Sequence, residues 1–494
     1  MRAFTTFAVA ASTLGANALN LVQPRDATAP KVIQHEIERK HVENPVARDR
    51  ARAQAREERL RRRQDNTVQE TLDNEETLYF LNLTIGTPGQ DLRMHIDTGS
   101  SDLWVNTPSS DICEGTGQYA QYNYDICADS GTYSPNKSST YEYVNNEFNI
   151  SYVDGSGAMG DYVKDVVKFG GVSLEGQQFA IGYTSSSSEG VLGIGYPINE
   201  VAVAYNGGNP YPNIPVHLVN DGHINTNAYS LWLNDLDAST GSILFGGVNT
   251  EKFEGTLAEI PIVKENGYYA EFIIALTAMG TNGDEGSIFS DQAIPALLDS
   301  GSSLMYLPTR IANALYDGFN AQYDESQGTA FVDCSLANSD TTLEFTFSGV
   351  TISVAMNELV IVAGYSSRGV PACILGISPT SSTPVLGDTF LRSAYVVYNI
   401  AGNEIAMAQT NFNSTSDNIL EITETTSVPS ATAVANAVTD VAVQSDGARI
   451  DSPSGFASSF PSSSSSEAFG MPTAAPGYDF ALLGAAGAGL LFAL

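Results

Sequence analysis

The stretch Asp97-Thr98-Gly99-Ser100-Ser101-Asp102-Leu103-Trp104-Val105 returns 202 positions later as Asp299-Ser300-Gly301-Ser302-Ser303, each copy entered through apolar residues. One Asp-Thr-Gly on its own is ordinary turn chemistry. Two copies, each answered downstream by an apolar-apolar-Gly, are not. Gly193 of Val191-Leu192-Gly193-Ile194-Gly195 follows Asp97 by 96 positions, and Gly387 of Val385-Leu386-Gly387-Asp388 follows Asp299 by 88. Recurrence in the same order at similar offsets predicts an internal duplication: two related lobes, with a boundary near residues 247–254.

The residue types suit a carboxyl pair. Gly99 and Gly301 let the backbone turn sharply after each acid, so that a side chain carried on a buried strand can enter a cleft. Thr98 and Ser300 offer hydroxyls that could bond across to the opposite loop, and Ser100 and Ser302 could bond the outer carboxylate oxygens. Two carboxyls a few ångströms apart cannot both ionise cheaply, so they hold one proton between them and titrate as a unit. The ionised member, Asp97 or Asp299, can take a proton from a bound water as it attacks a peptide carbonyl while the protonated member bonds the carbonyl oxygen. The catalytic pair read from the sequence is therefore Asp97 and Asp299, with no metal or other cofactor.

Working outward, residues 78–409 are dominated by short apolar or alternating runs punctuated by Gly, Asn, Asp and Ser. Residues 78–85, 242–245 and 395–400 read as strands. Helical periodicity is clearest over 309–319, after Pro308. The expected fold is mainly β and bilobed, with the active-site cleft between two related β lobes, 64–250 and 251–412.

Over nearly all of residues 77–409 the chain resembles the pepsin family of aspartic proteases. Tyr79-Phe80, Ile85-Gly86-Thr87-Pro88 and the first Asp motif are similar to that family's first lobe, and Leu298-Asp299-Ser300-Gly301-Ser302-Ser303 to its second. The resemblance implies a substrate-covering flap at Ile150-Ser151-Tyr152-Val153-Asp154-Gly155-Ser156-Gly157, with Tyr152 bonded to the Trp104 indole and Asp154 and Gly155 at the tip. Val153 stands where the family usually has Gly. The cysteine-bounded loop 113–127, a Ser/Thr-rich stalk and an apolar tail are similar to the yapsin-type fungal branch. That branch implies a preference for basic residues at the cut, which Asp102 and Asp154 could supply.

The flanking segments predict a secretory itinerary. Arg2, the apolar run 3–14 and Ala16-Asn17-Ala18 read as a signal peptide, residues 1–18. Residues 19–63 carry 12 Lys+Arg against 7 Asp+Glu and end in Arg61-Arg62-Arg63, whereas residues from 64 onward carry 10 against 49, within a formal net charge of −33. A basic leader on an acidic body suggests an electrostatically held propeptide, cut near Arg63 and loosened as carboxylates protonate. Residues 413–476, rich in Ser, Thr, Ala and Pro, read as a disordered stalk. Within the tail 477–494 the uncharged apolar run 480–494 is shorter than the about 20 residues of a spanning helix; with its polar spacer it matches a glycosylphosphatidylinositol signal, attachment falling at Ser464. Asn82, Asn136, Asn149 and Asn413 head N-glycosylation sequons, Asn82 in a strand-like run where access is in question.

Four cysteines allow three connectivities. Proximity favours Cys113 with Cys127 and Cys334 with Cys373. Neither pair has Cys-x-x-Cys spacing, which argues for a structural role. So acidic a body is unsuited to phosphate neutralisation, which excludes nucleic acid as a partner. His95, His217 and His223 form no His-Glu-x-x-His, and no Gly-x-Ser-x-Gly elbow occurs. The expected molecule is a monomeric endopeptidase acting on peptides and proteins, with its own propeptide and a lipid-anchored membrane as further partners. The competing reading is a non-catalytic cell-wall binding or structural glycoprotein that keeps the fold.

Overall fold

The computed structural model describes residues 30–41, 77–115, 126–152, 156–204, 207–238, 240–290, 292–325, 327–365 and 370–443. The signal cut at Ala18, most of the leader 19–63, flap residues Asp154 and Gly155, the anchor residue Ser464 and the tail 477–494 lie outside them. Chain contacts divide at Pro30, and everything below lies in the unit from Lys31.

The chain is mainly β, and its duplication is visible in strand topology. In the first half Thr77–Ile85 pairs antiparallel with Gln90–Asp97, which runs parallel to Gly190–Gly193. Leu103–Asn106 then pairs antiparallel with Gly190–Gly193 and parallel with Val172–Ser185. The second half repeats the order: Ile273–Leu276, Ile294–Leu298, Val385–Leu386, Met305–Pro308, Ile377–Thr380, with the same sequence of antiparallel, parallel, antiparallel and parallel neighbours. In both, the strand leading into the Asp and the strand after the Ser-Ser turn flank one short strand leading into the distant Gly.

That arrangement explains the apolar-apolar-Gly echo. A Cβ on Gly193 would stand 2.7 Å from the amides of Ser101 and Asp102, and one on Gly387 would stand 2.2 Å from the Ser302 carbonyl. Only a residue without a side chain lets these strands press against the backs of the two Asp loops. Of the apolar residues before them, Leu192 and Leu386 are wholly buried in the main core, Val191 is buried in the cluster that contains Trp104, and Val385 is half-buried.

Among the described residues the largest sheet has fourteen strands and draws on both halves. At its centre lies Ile33–His41, paired antiparallel on one side with Thr240–Phe245 and on the other with Thr77–Ile85. Ile33 and Ile37, with period-two spacing, are buried in the core, so the leader supplies an interior strand. Thr309–Phe319 is helical as its periodicity predicts, ending at Asn320 in the left-handed conformation, and buries Ile311, Ala312, Leu315 and Tyr316. Both local disulfides are formed, Cys113 with Cys127 and Cys334 with Cys373.

The stalk expectation fails over its first part. Residues 413–443 carry two strands, Ile419–Glu421 against Gly247–Asn249 and Ala431–Ala433, which runs parallel to Phe253–Pro261 and forms the edge of the large sheet. Ile422 and Val428 are buried, and Val438, Val441 and Val443 pack against Val263, Ile273 and Ala275. Few apolar residues suffice here because the segment does not build its own core: it lays isolated apolar side chains on a surface already formed, and satisfies backbone groups on Gly246 and Glu259.

Candidate active site

The two Asp loops meet through a reciprocal set of buried hydrogen bonds. The Thr98 hydroxyl donates to the Leu298 carbonyl at 2.9 Å and accepts from the Ser300 amide at 3.0 Å. The Ser300 hydroxyl does the same in mirror image, donating to the Ile96 carbonyl at 3.0 Å and accepting from the Thr98 amide at 3.2 Å. Strand ends that would otherwise bury unpaired backbone groups are thereby satisfied by the opposite half. This is the cross-loop role that the hydroxyls of Thr98 and Ser300 suggested.

Each carboxylate is held by its own loop. Asp97 Oδ1 accepts from the Gly99 amide at 2.8 Å and Oδ2 from the Ser100 hydroxyl at 2.5 Å. Asp299 Oδ1 accepts from the Gly301 amide at 2.8 Å and Oδ2 from the Ser302 hydroxyl at 2.8 Å. The glycines also set the approach: a Cβ on Gly99 would lie 2.6 Å from Asp299 Oδ1, and one on Gly301 2.5 Å from Asp97 Oδ1. No larger residue permits the two acids to face one another.

Burial, then the Asp97 charge, push the Asp299 carboxyl up to about 7. A shift of this kind belongs to the pair, which retains one proton across the acid range. Chemically, such a site offers a base and an acid side by side at the mouth of two polar loops, the requirement for activating a water against a carbonyl.

Above the loops, Trp104 is fully buried and its indole N–H donates to the Tyr152 hydroxyl at 2.6 Å. Tyr152 sits on the hairpin formed by Glu142–Ser151 and Gly157–Phe169, closed by the Tyr152 amide on the Ser156 carbonyl. The structure thus brings Tyr152 to Trp104, the contact that the family resemblance implies.

Asp102 is a correction. The sequence suggested a place near the cleft, but Asp102 is fully buried, with Oδ1 accepting from the hydroxyls of Tyr162 at 2.7 Å and Tyr211 at 2.9 Å and Oδ2 from the Val201 amide at 2.9 Å. Its neighbour Glu200, also fully buried, accepts from the Tyr211 amide. Sequence reasoning missed this acid pair, and equally the buried Arg392 that donates to Glu358 at 2.5 Å. A signal existed for both: Glu200 and Arg392 are lone charges inside apolar runs, Tyr196-Pro197-Ile198-Asn199-Glu200-Val201-Ala202 and Phe390-Leu391-Arg392-Ser393-Ala394-Tyr395. The histidines are packed: His95 lies against Phe80, and His217 bonds Gln177. All four sequon asparagines are exposed, Asn82 included, because it falls on the outward face of its strand.

The comparisons with known proteins agree with this geometry. Residues 78–410 match the family model described as eukaryotic aspartyl protease. The chain is 52% identical over 436 residues to "Probable aspartic-type endopeptidase opsB" of Aspergillus fumigatus, covering 87% of each. It is 40% identical over 364 residues to "Secreted aspartic protease 3" of Candida albicans, covering 72% of this chain and 85% of that one. The crystal structure of the aspartic proteinase from Irpex lacteus shares the fold, with a TM-score of 0.56 at 21% identity over 69% of this chain and 96% of that one. The chain therefore belongs to the eukaryotic aspartyl protease family and is an aspartic-type endopeptidase.

Proposed function

We propose that Asp97 and Asp299 are the catalytic pair of an acid-acting, secreted endopeptidase, and that Thr98, Gly99, Ser100, Ser300, Gly301 and Ser302 hold them in register. One observation carries this reading: the crossed hydrogen bonds of Thr98 and Ser300 bring the two acid loops so close that a Cβ on Gly99 would lie 2.6 Å from Asp299 Oδ1 and one on Gly301 2.5 Å from Asp97 Oδ1. The ionised member takes a proton from the attacking water, and the protonated member donates to the substrate carbonyl oxygen. Tyr152, braced by Trp104, closes the flap over the peptide. Above about pH 7 the pair loses its shared proton and with it the acid, so activity falls. Casein cleavage at about pH 4, below the raised value of the pair, blocked by pepstatin and absent from an Asp97→Asn form, is the expected result; pepstatin-insensitive cleavage by that form refutes the assignment.

Synthesis as a zymogen is the second part of the reading. Its support is that Ile33–His41, upstream of Arg61-Arg62-Arg63, is a core strand seated between Thr240–Phe245 and Thr77–Ile85. The uncut chain is expected to be silent near neutral pH and to become active on cleavage near Arg63. A lipid anchor at Ser464 and a yapsin-type cell-surface location rest on the sequence of the stalk and tail. A preference for basic residues at the cut rests on Asp154 alone, since Asp102 is turned inward.

A further inference from the structure

Six large apolar or aromatic side chains are exposed among the described residues, and three of them, Tyr143 at 53%, Met159 at 49% and Tyr183 at 39%, stand on the outer face of the flap hairpin and its neighbouring strand. Clustering of this kind, unlike scattered exposure, marks a surface that something covers. A groove of about 760 Å³ runs across the same face, and its lining includes Asn146, Glu147, Asn149, Met159, Asp161 and Tyr183. The Tyr183 hydroxyl donates to Asp161 at 2.9 Å, which fixes the ring at the groove wall.

Asn149 itself lies in this groove. It is exposed, pairs in register with Met159, and heads the sequon Asn149-Ile150-Ser151. Its flanking residues Phe148 and Ile150 point the other way, into the buried cluster that contains Trp104. One strand therefore presents a sugar acceptor outward and supports the flap tyrosine's partner inward. The lining suits a pyranose: an aromatic ring and a thioether for its apolar face, carboxylates and amides for its hydroxyl rim.

We propose that this groove is the seat of an N-linked glycan carried by Asn149, whose first sugars lie along Tyr183 and Met159 and restrain the flap hairpin from outside. The inference rests on the secretory route proposed above. The bond is made by the host's oligosaccharyl transfer: the Asn149 amide nitrogen replaces the diphosphate of a lipid-linked oligosaccharide at the anomeric carbon, and one amide proton is lost. Glu147, Asp161 and Asn146 then accept or donate to the sugar hydroxyls.

The test uses the full chain secreted from a fungal host, with glycopeptide mapping of all four sequons and timed endoglycosidase release under native conditions. Asn149 is expected to be occupied, and its glycan to be released about tenfold more slowly than that on exposed Asn136, the protection expected of one aromatic packing contact. Denaturation should abolish the difference, and Tyr183→Ala should reduce it to about twofold or less. Asn149→Gln, but not Asn136→Gln, should speed amide hydrogen exchange in residues 148–160. An unoccupied Asn149, or a glycan there released as fast as at Asn136, overturns the proposal. Because pepstatin-sensitive activity is measured separately on the same preparation, that outcome leaves the protease assignment standing.

Discussion

Replacing Glu200 by glutamine probes the buried acid pair behind Trp104. Tyr211 bridges the pair, its hydroxyl donating to Asp102 and its amide to Glu200 Oε2, in a pocket closed to solvent. Burial first, and the Asp102 charge second, push the Glu200 carboxyl from 4.5 up to about 10. Because the folded value is the higher one, this group's contribution to stability is complete below about pH 4.5 and is lost progressively as the pH climbs toward 10. At about 1.4 kcal/mol per pH unit the loss between about pH 4.5 and about pH 7 is on the order of 3 kcal/mol. A glutamine side chain fills the same space, still accepts from the Tyr211 amide, and does not ionise. Unfolding by urea is measured at both pH values in an Asp97→Asn background, which silences self-digestion. The Glu200→Gln form should lose about 3 kcal/mol less stability over that interval than the parent. Equal losses in the two proteins would refute the claim that Glu200 is kept neutral by its surroundings.

Three further outcomes are expected. Thr98→Val leaves the Leu298 carbonyl and the Ser300 amide buried without their partner, and should cost about 2 to 5 kcal/mol in thermal or urea unfolding. Ser302→Ala removes a hydroxyl that holds the Asp299 carboxyl down; the alkaline limb of the kcat/KM profile should move to higher pH by roughly half a unit to one. Ending the chain at residue 412 instead of 443 uncovers the sites of Ile422 and Val428, and should cost about 3 to 6 kcal/mol in thermal or urea unfolding.

The parts of the fold that sequence revealed are those in which function and local chemistry coincide. The Asp loops need Gly for close approach and hydroxyls for the crossed bonds, so their composition declares their geometry, and Gly193 and Gly387 are glycine for the same steric reason. What stayed hidden depends on partners far along the chain. Asp102 looks like a turn acid until Tyr162 and Tyr211, 60 and 109 residues on, are folded over it. Ile33–His41 carries alternating Ile33, His35 and Ile37, yet the surrounding arginines draw the eye to charge, and nothing local says which two strands it will separate. Residues 413–443 have a composition too polar to fold alone; their order is borrowed from Gly247–Asn249 and Phe253–Pro261.

The proton between the two acids is the centre of the mechanism, and neutron diffraction from deuterium-exchanged crystals of the processed enzyme at about pH 4.5 would locate it, at a pH well below the raised value of the pair. One deuteron shared by the Asp97 and Asp299 carboxyls, with a water bonded to both, is the predicted density. Two deuterons, none, or acids separated by another side chain would contradict it.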